Sequence, residues 1–73
     1  MYRFLMPASF QIAEVQAIIR RKLSMTKDKG LFLMVNNGKE LVRSNDSLEY
    51  VFNTYHDKDG FLYILYTEEE IFG

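Results

Sequence analysis

The chain has 73 residues, 48% of them hydrophobic, 26% charged and 15% aromatic, which is one domain at most, and a domain of this size buries only roughly 60% of its unfolded surface. It contains no cysteine, so disulfides, thiolate metal sites and a cysteine nucleophile are excluded. No apolar run reaches the ~18 residues of a membrane span and no signal-peptide pattern is present, so a cytoplasmic location is expected.

The formal net charge of −1 conceals an asymmetry. Residues 1–43 carry eight basic groups against three acids, and residues 44–73 carry one against seven. A two-sided field of this kind favours selective partners, and neither half is basic enough for nucleic acid.

In chain order, residues 2–6 (YRFLM) predict a short strand stopped by Pro7, which has no N–H to give a ladder. Residues 10–23 predict a helix: Ile12, Val15, Ile19 and Leu23 recur at steps of three and four, and Arg20, Arg21 and Lys22 fall in the last turn, where the dipole favours cations. Ser9 is the expected N-cap. Residues 31–35 (LFLMV) form an apolar run short enough for a buried strand, and Asn37-Gly38 predicts a tight turn into a hairpin partner, ELV.

A second helix is expected over 46–55, with Asp46 and Glu49 spaced as a capping box and Leu48, Val51, Phe52 and Tyr55 as its buried face. DKDG (57–60) is turn chemistry. Residues 61–67 (FLYILYT) are apolar on both alternating faces, which predicts a central strand covered on each side. Strand, helix, strand, helix, strand is an α+β order with helices packed on a sheet. The last strand wants neighbours on both edges, and only three substantial strands are available.

Little here points to catalysis. His56 is the only histidine, and it adjoins a turn with no nucleophile arranged around it, so a surface role is expected. DKDG fails as a calcium loop: with Gly60 at loop position six, positions one and twelve fall on Tyr55 and Tyr66, where carboxylates are required. There is no glycine-rich phosphate loop. Arg20-Arg21-Lys22 could meet phosphate or an acidic surface, but a solvated helix end fits better. The expected answer is not an enzyme, with no cofactor and no metal.

Four stretches in order, RFLMPASF, IIRRKL, LFLMVNN and HDKDGFLYILYTEEEIFG, resemble the autophagy ubiquitin-like modifiers, the GABARAP and light-chain family, over nearly the whole chain. The resemblance implies a β-grasp, ubiquitin-like fold. It also implies that Gly73, presented after Phe72, is adenylated by an activating enzyme and passed to a conjugating-enzyme cysteine as a thioester. Conjugation to phosphatidylethanolamine on autophagosomal membranes then follows. Glycine suits that role because it has no Cβ to block a narrow enzyme channel.

The family also implies capture of receptor or adaptor peptides of aromatic-x-x-aliphatic type by β-augmentation on the 2–6 strand. Carried over by position, Arg3, Leu5 and Phe61 line the aromatic pocket. Phe4, Met6, Pro7, Phe10, Val15 and Ile18 line the aliphatic one, and Arg20 meets acids flanking the motif. Val15 and Met6 fit an ordinary core role equally well, whereas Ile18 lies off the core stripe.

Departures from the family pattern are informative. The family's two N-terminal helices and first strand have no counterpart here, and GKEL replaces the prolines that follow Val-Asn-Asn. The expected fold is therefore a truncated β-grasp without its usual central first strand, or one completed by another chain. A homodimer through the unfilled sheet edges is a further expectation. Alternatives to lipid conjugation are a protein-conjugated autophagy modifier, whose terminus is usually Trp-Gly, and a non-conjugated β-grasp peptide-binding module.

Overall fold

The computed structural model describes residues 5–70. Its elements run α1 (Ile12–Lys22), β1 (Lys29–Val35), β2 (Glu40–Leu41), α2 (Leu48–Tyr55) and β3 (Leu65–Glu70). Among the described residues, the three strands form one antiparallel sheet in the order β2-β1-β3, with β1 in the middle.

Alternation along β1 builds the core. Leu31, Leu33 and Val35 point to one face and are almost completely buried. Ile12 and Val15 of α1, Val51 of α2 and Val42 close over the same face. Met6, Ile19, Met25, Leu48, Tyr55, Leu62 and Ile64 pack around this cluster. Both helices therefore cover one side of the sheet, the α+β arrangement expected of a β-grasp domain.

The helix α1 begins two residues later than the sequence suggests, and Ser9 does not cap it. Ala8 and Ser9 lie in a turn closed by Phe10 N–H donating to the Pro7 carbonyl at 3.1 Å. The first-turn donors find backbone acceptors instead. Ile12 N–H donates to the Asp46 carbonyl and Ala13 N–H to the Ser44 carbonyl, each at 2.8 Å. Glu14 reaches back to accept from Gln11 N–H at 3.1 Å. Unpaired N–H groups at a helix start need some acceptor, and here the loop before α2 supplies it.

At α2 the cap is Ser47, whose Oγ accepts from Tyr50 N–H at 3.1 Å, rather than Asp46. The Asp46 carboxylate accepts from Arg43 N–H at 3.1 Å and shapes the preceding turn. Only Val51 of this helix is fully buried. Phe52, expected on the buried face, is 38% exposed and stacks on the His56 ring, with centroids 5.0 Å apart.

The hairpin is as anticipated. Met34 pairs with Leu41 and Val35 with Glu40, and the loop between them has φ of 56° at Asn36, 58° at Asn37 and 84° at Gly38. Asn and Gly tolerate that left-handed region where β-branched residues do not.

Two strand expectations change. The last strand spans 65–70 instead of 61–67, its pairing with β1 ending at Met34↔Leu65. Nor is it covered on both sides: Phe61, Tyr63, Leu65 and Tyr66 are each about half exposed. Of the 2–6 strand, residues 2–4 lie outside the described residues, and Leu5 and Met6 belong to no strand.

Candidate functional site

The two functional regions expected from the sequence are a peptide-binding surface and a reactive C-terminus. Arg3, Phe4, Phe72 and Gly73 lie outside the described residues. The remaining peptide-site candidates fall on three parts of the fold: the segment entering α1, the body of α1, and the turn before β3.

On the entering segment, Leu5 is fully exposed, Met6 packs against the core and Pro7 is exposed. Phe10 is partly buried, and its carbonyl accepts from Leu48 N–H at 2.8 Å. The Ala8 carbonyl accepts from Glu49 N–H at 3.3 Å, so two hydrogen bonds fasten this segment to the start of α2. An anchored backbone with an exposed leucine and a half-sunk methionine is a suitable platform for an apolar ligand group.

Along α1, Val15 is corrected: at 2% exposure it is core, because it follows Ile12 by three residues on the sheet-facing stripe. Ile18, off that stripe, remains partly exposed and available to a ligand. Arg20 is also partly exposed, and its guanidinium donates to the Lys29 carbonyl at 2.7 Å. Gln16 makes a parallel contact to the Leu31 carbonyl at 3.3 Å, so one polar flank of α1 is tied to β1. A guanidinium has five donors in a planar fork. One such bond fixes the Arg20 head group while other donors can still engage a carboxylate.

Phe61 is 51% exposed and is presented by the 57–60 turn. Asp57 N–H donates to the Phe61 carbonyl at 2.8 Å and Gly60 N–H to the Asp57 carbonyl at 3.0 Å, with Gly60 at φ 85°. The carboxylates of this turn are engaged locally. Asp57 accepts from Lys58 N–H at 2.8 Å, and Asp59 accepts from Phe61 N–H at 2.9 Å and from the Tyr63 hydroxyl. That is the turn chemistry expected of DKDG. His56 is exposed, and its Nδ1–H donates to the Phe52 carbonyl at 2.8 Å, a helix-end contact.

Two concavities were not foreseen. A polar one of about 190 Å³ lies between the β1–β2 loop and the end of α2, lined by Asn36, Asn37, Tyr55, His56, Asp57 and Tyr63. There the Tyr55 hydroxyl donates to Glu40 at 3.3 Å, and partial burial followed by the Glu40 charge pushes the Tyr55 phenol above its ordinary value. The other, of about 450 Å³, opens on the sheet face away from the helices, between Phe32, Met34, Leu41 and Thr67. The signal for it was present in LFLMV, whose second and fourth residues are as apolar as its first and third. Among the described residues, no helix is long and apolar enough to cross a membrane.

Comparisons with known proteins agree with this architecture. The family model for the Atg8 ubiquitin-like autophagy proteins matches residues 1–73. Protein lgg-2 of Caenorhabditis elegans is 34% identical over 71 residues, which are 97% of this chain and 54% of that protein. Microtubule-associated protein 1 light chain 3 gamma of Homo sapiens is 32% identical over 71 residues, 97% of this chain and 48% of that protein. The crystal structure of Trypanosoma brucei ATG8 superposes with a TM-score of 0.85 at 27% identity, covering 96% of this chain and 59% of that one. The chain thus spans about half the length of the curated relatives it matches. A matching fold, a family match over residues 1–73 and relatives above 30% identity lead to one conclusion: the chain belongs to the Atg8 ubiquitin-like family of autophagy proteins.

Proposed function

We propose that the protein is a ubiquitin-like modifier of autophagy whose Gly73 is joined to phosphatidylethanolamine. The observation that carries this reading is the family match running through residue 73. The chemistry would act on the carboxylate of Gly73. A carboxylate resists attack by an amine until its oxygen becomes a leaving group. Attack on the α-phosphorus of ATP releases pyrophosphate and gives an acyl adenylate. A cysteine thiolate of the activating enzyme then displaces AMP, and the acyl group passes to the conjugating enzyme by thioester exchange. The amine of the lipid finally displaces that thiolate to form the amide. The protein is substrate and adaptor throughout; the catalysts are its partners. It would be cytoplasmic before conjugation and on autophagosomal membranes after it.

The second half of the function is capture of receptor peptides carrying an aromatic-x-x-aliphatic motif. Leu5, Arg3 and Phe61 are assigned to the aromatic side chain, and Phe4, Met6, Pro7, Phe10 and Ile18 to the aliphatic one. Val15 forms core beneath that site instead of its wall. Arg20, held at the β1 carbonyl, is assigned to acids flanking the motif.

The test is incubation with the activating and conjugating enzymes, ATP and phosphatidylethanolamine liposomes. A mobility-shifted product that needs ATP and disappears on deletion of Gly73 is expected. Absence of any Gly73-dependent product overturns the proposal.

A further inference from the structure

Three cations in a row end α1, and a serine follows them. Arg20, Arg21 and Lys22 occupy the last helical turn, Leu23 is the C-cap, and Ser24 comes next. No other serine or threonine of the chain has more than one basic residue in the four positions before it. Ser24, Arg21 and Lys22 are all exposed. Among the described residues the Ser24 hydroxyl makes no hydrogen bond, whereas Thr26 Oγ1 donates to the Asp28 carboxylate and Ser47 Oγ caps α2.

The backbone at Ser24 is also easy to open. Its φ of 52° lies in the left-handed region, which a serine occupies under strain. Two main-chain hydrogen bonds hold it there: Ser24 N–H donates to the Arg21 carbonyl at 3.3 Å, and Met25 N–H to the Arg20 carbonyl at 3.0 Å. Kinases take an acceptor residue in extended form. Opening residues 24–25 in that direction relieves the strain and gives up only those two bonds, at a helix end where local stability is lowest. An acidic substrate groove then meets three cations on the N-terminal side of the hydroxyl. Charge patterns of this kind are how kinases discriminate among substrates.

We infer that Ser24 accepts a phosphoryl group from a basophilic serine kinase, and that the phosphate engages Arg20 and weakens the capture of acid-flanked receptor peptides. In the transfer a bond forms between Ser24 Oγ and the γ-phosphorus of ATP as the bond from that phosphorus to the bridging oxygen breaks. ADP leaves, and the hydroxyl proton passes to the kinase's catalytic carboxylate. The carbonyl end of α1 repels the new anion, so the phosphate turns to the cations of the last turn. Arg20 is held in place by its bond to the Lys29 carbonyl at 2.7 Å, and a phosphate four residues on competes for its other donors. The effect on peptides rests on the proposed receptor site; the modification and its contact with Arg20 do not.

The experiment incubates the isotopically labelled full chain with ATP and a kinase that requires arginine three residues before its acceptor, and locates the phosphate by tandem mass spectrometry. One phosphate at Ser24 is expected, absent from Ser24→Ala. Arg21→Ala, at an exposed position, should slow the transfer by about tenfold or more, with the amide spectrum otherwise that of the folded chain. Phosphorylation should also shift the Arg20 guanidinium resonances. The modified and unmodified chains are then titrated with two aromatic-x-x-aliphatic peptides, one preceded by three glutamates and one by three serines. Affinity for the first should fall by about tenfold, and affinity for the second should hold. Phosphate on Thr26 in place of Ser24, no phosphate at all, indifference to Arg21→Ala, or an unmoved Arg20 would overturn the inference. Equal loss for both peptides would overturn its regulatory half. Binding of neither peptide to the unmodified chain would count against the receptor site, with Ser24 and Arg20 judged by their own readouts.

Discussion

The two faces of the central strand have the same kind of sequence and opposite fates. On the helix side Leu31, Leu33 and Val35 are 5%, 0% and 0% exposed; on the other side Phe32 is 42% exposed, with Leu41 and Leu65 beside it at 65% and 50%. The alternation of β1 delivers apolar groups to both faces equally. What separates them is that α1 and α2 cover only one. The buried face holds the domain together, and the outer face leaves its apolar groups in contact with solvent.

The difference can be broken most severely at Leu33. Leu33→Ala removes a completely buried side chain at the centre of the cluster and should cost about 2–5 kcal/mol. For a domain whose total stability is on the order of 5–10 kcal/mol, that brings the chain close to unfolding, and urea titration would register it. Next is the attachment of α2, which keeps the closed face closed. Ser47→Ala removes the acceptor for Tyr50 N–H and should cost about 1 kcal/mol, seen as an earlier urea midpoint.

On the open face the same kind of truncation should barely register. Leu41→Ala is expected to change stability by less than about 0.5 kcal/mol, because the side chain is already 65% exposed. A cost comparable to that of Leu33→Ala would mean that the outer face is covered in solution.

The smallest effect lies at Tyr55, at the margin of the core. Its phenol should titrate above the ordinary value of 10.0 because of partial burial and then Glu40. A raised folded-state pKa contributes stability that is fully present below the unfolded-state value and is lost as pH rises through the folded one. The window therefore lies above pH ~10. Spectrophotometric titration of Glu40→Gln should move the Tyr55 midpoint down without restoring the ordinary value, since burial is the larger cause.

Much of the closed face was legible in the sequence, and the open one was not. Ile12, Val15 and Ile19 at steps of three and four locate α1 because helical period translates directly into one buried stripe. Asn37-Gly38 locates the hairpin because few residues accept its backbone angles. Caps were less legible. Ser9 and Asp46 have suitable side chains, but the α1 donors are satisfied by carbonyls from a distant loop, which local sequence does not encode. The burial of β3 was overestimated for a related reason: apolar residues on both faces of a strand state what could be covered, and not what covers it. At the candidate site, resemblance placed Ile18 and Phe61 on accessible surface, while Val15 followed the stripe into the core.

We propose that receptor peptides bind the segment entering α1 and not the larger apolar groove on the outer sheet face. That assignment is tested most directly by titrating the labelled chain with an aromatic-x-x-aliphatic peptide and following backbone amide shifts. Perturbation at Leu5, Met6, Phe10, Ile18 and Phe61 is expected, with Phe32, Met34 and Leu41 unchanged. Shifts centred on Phe32, Met34 and Leu41 would contradict it.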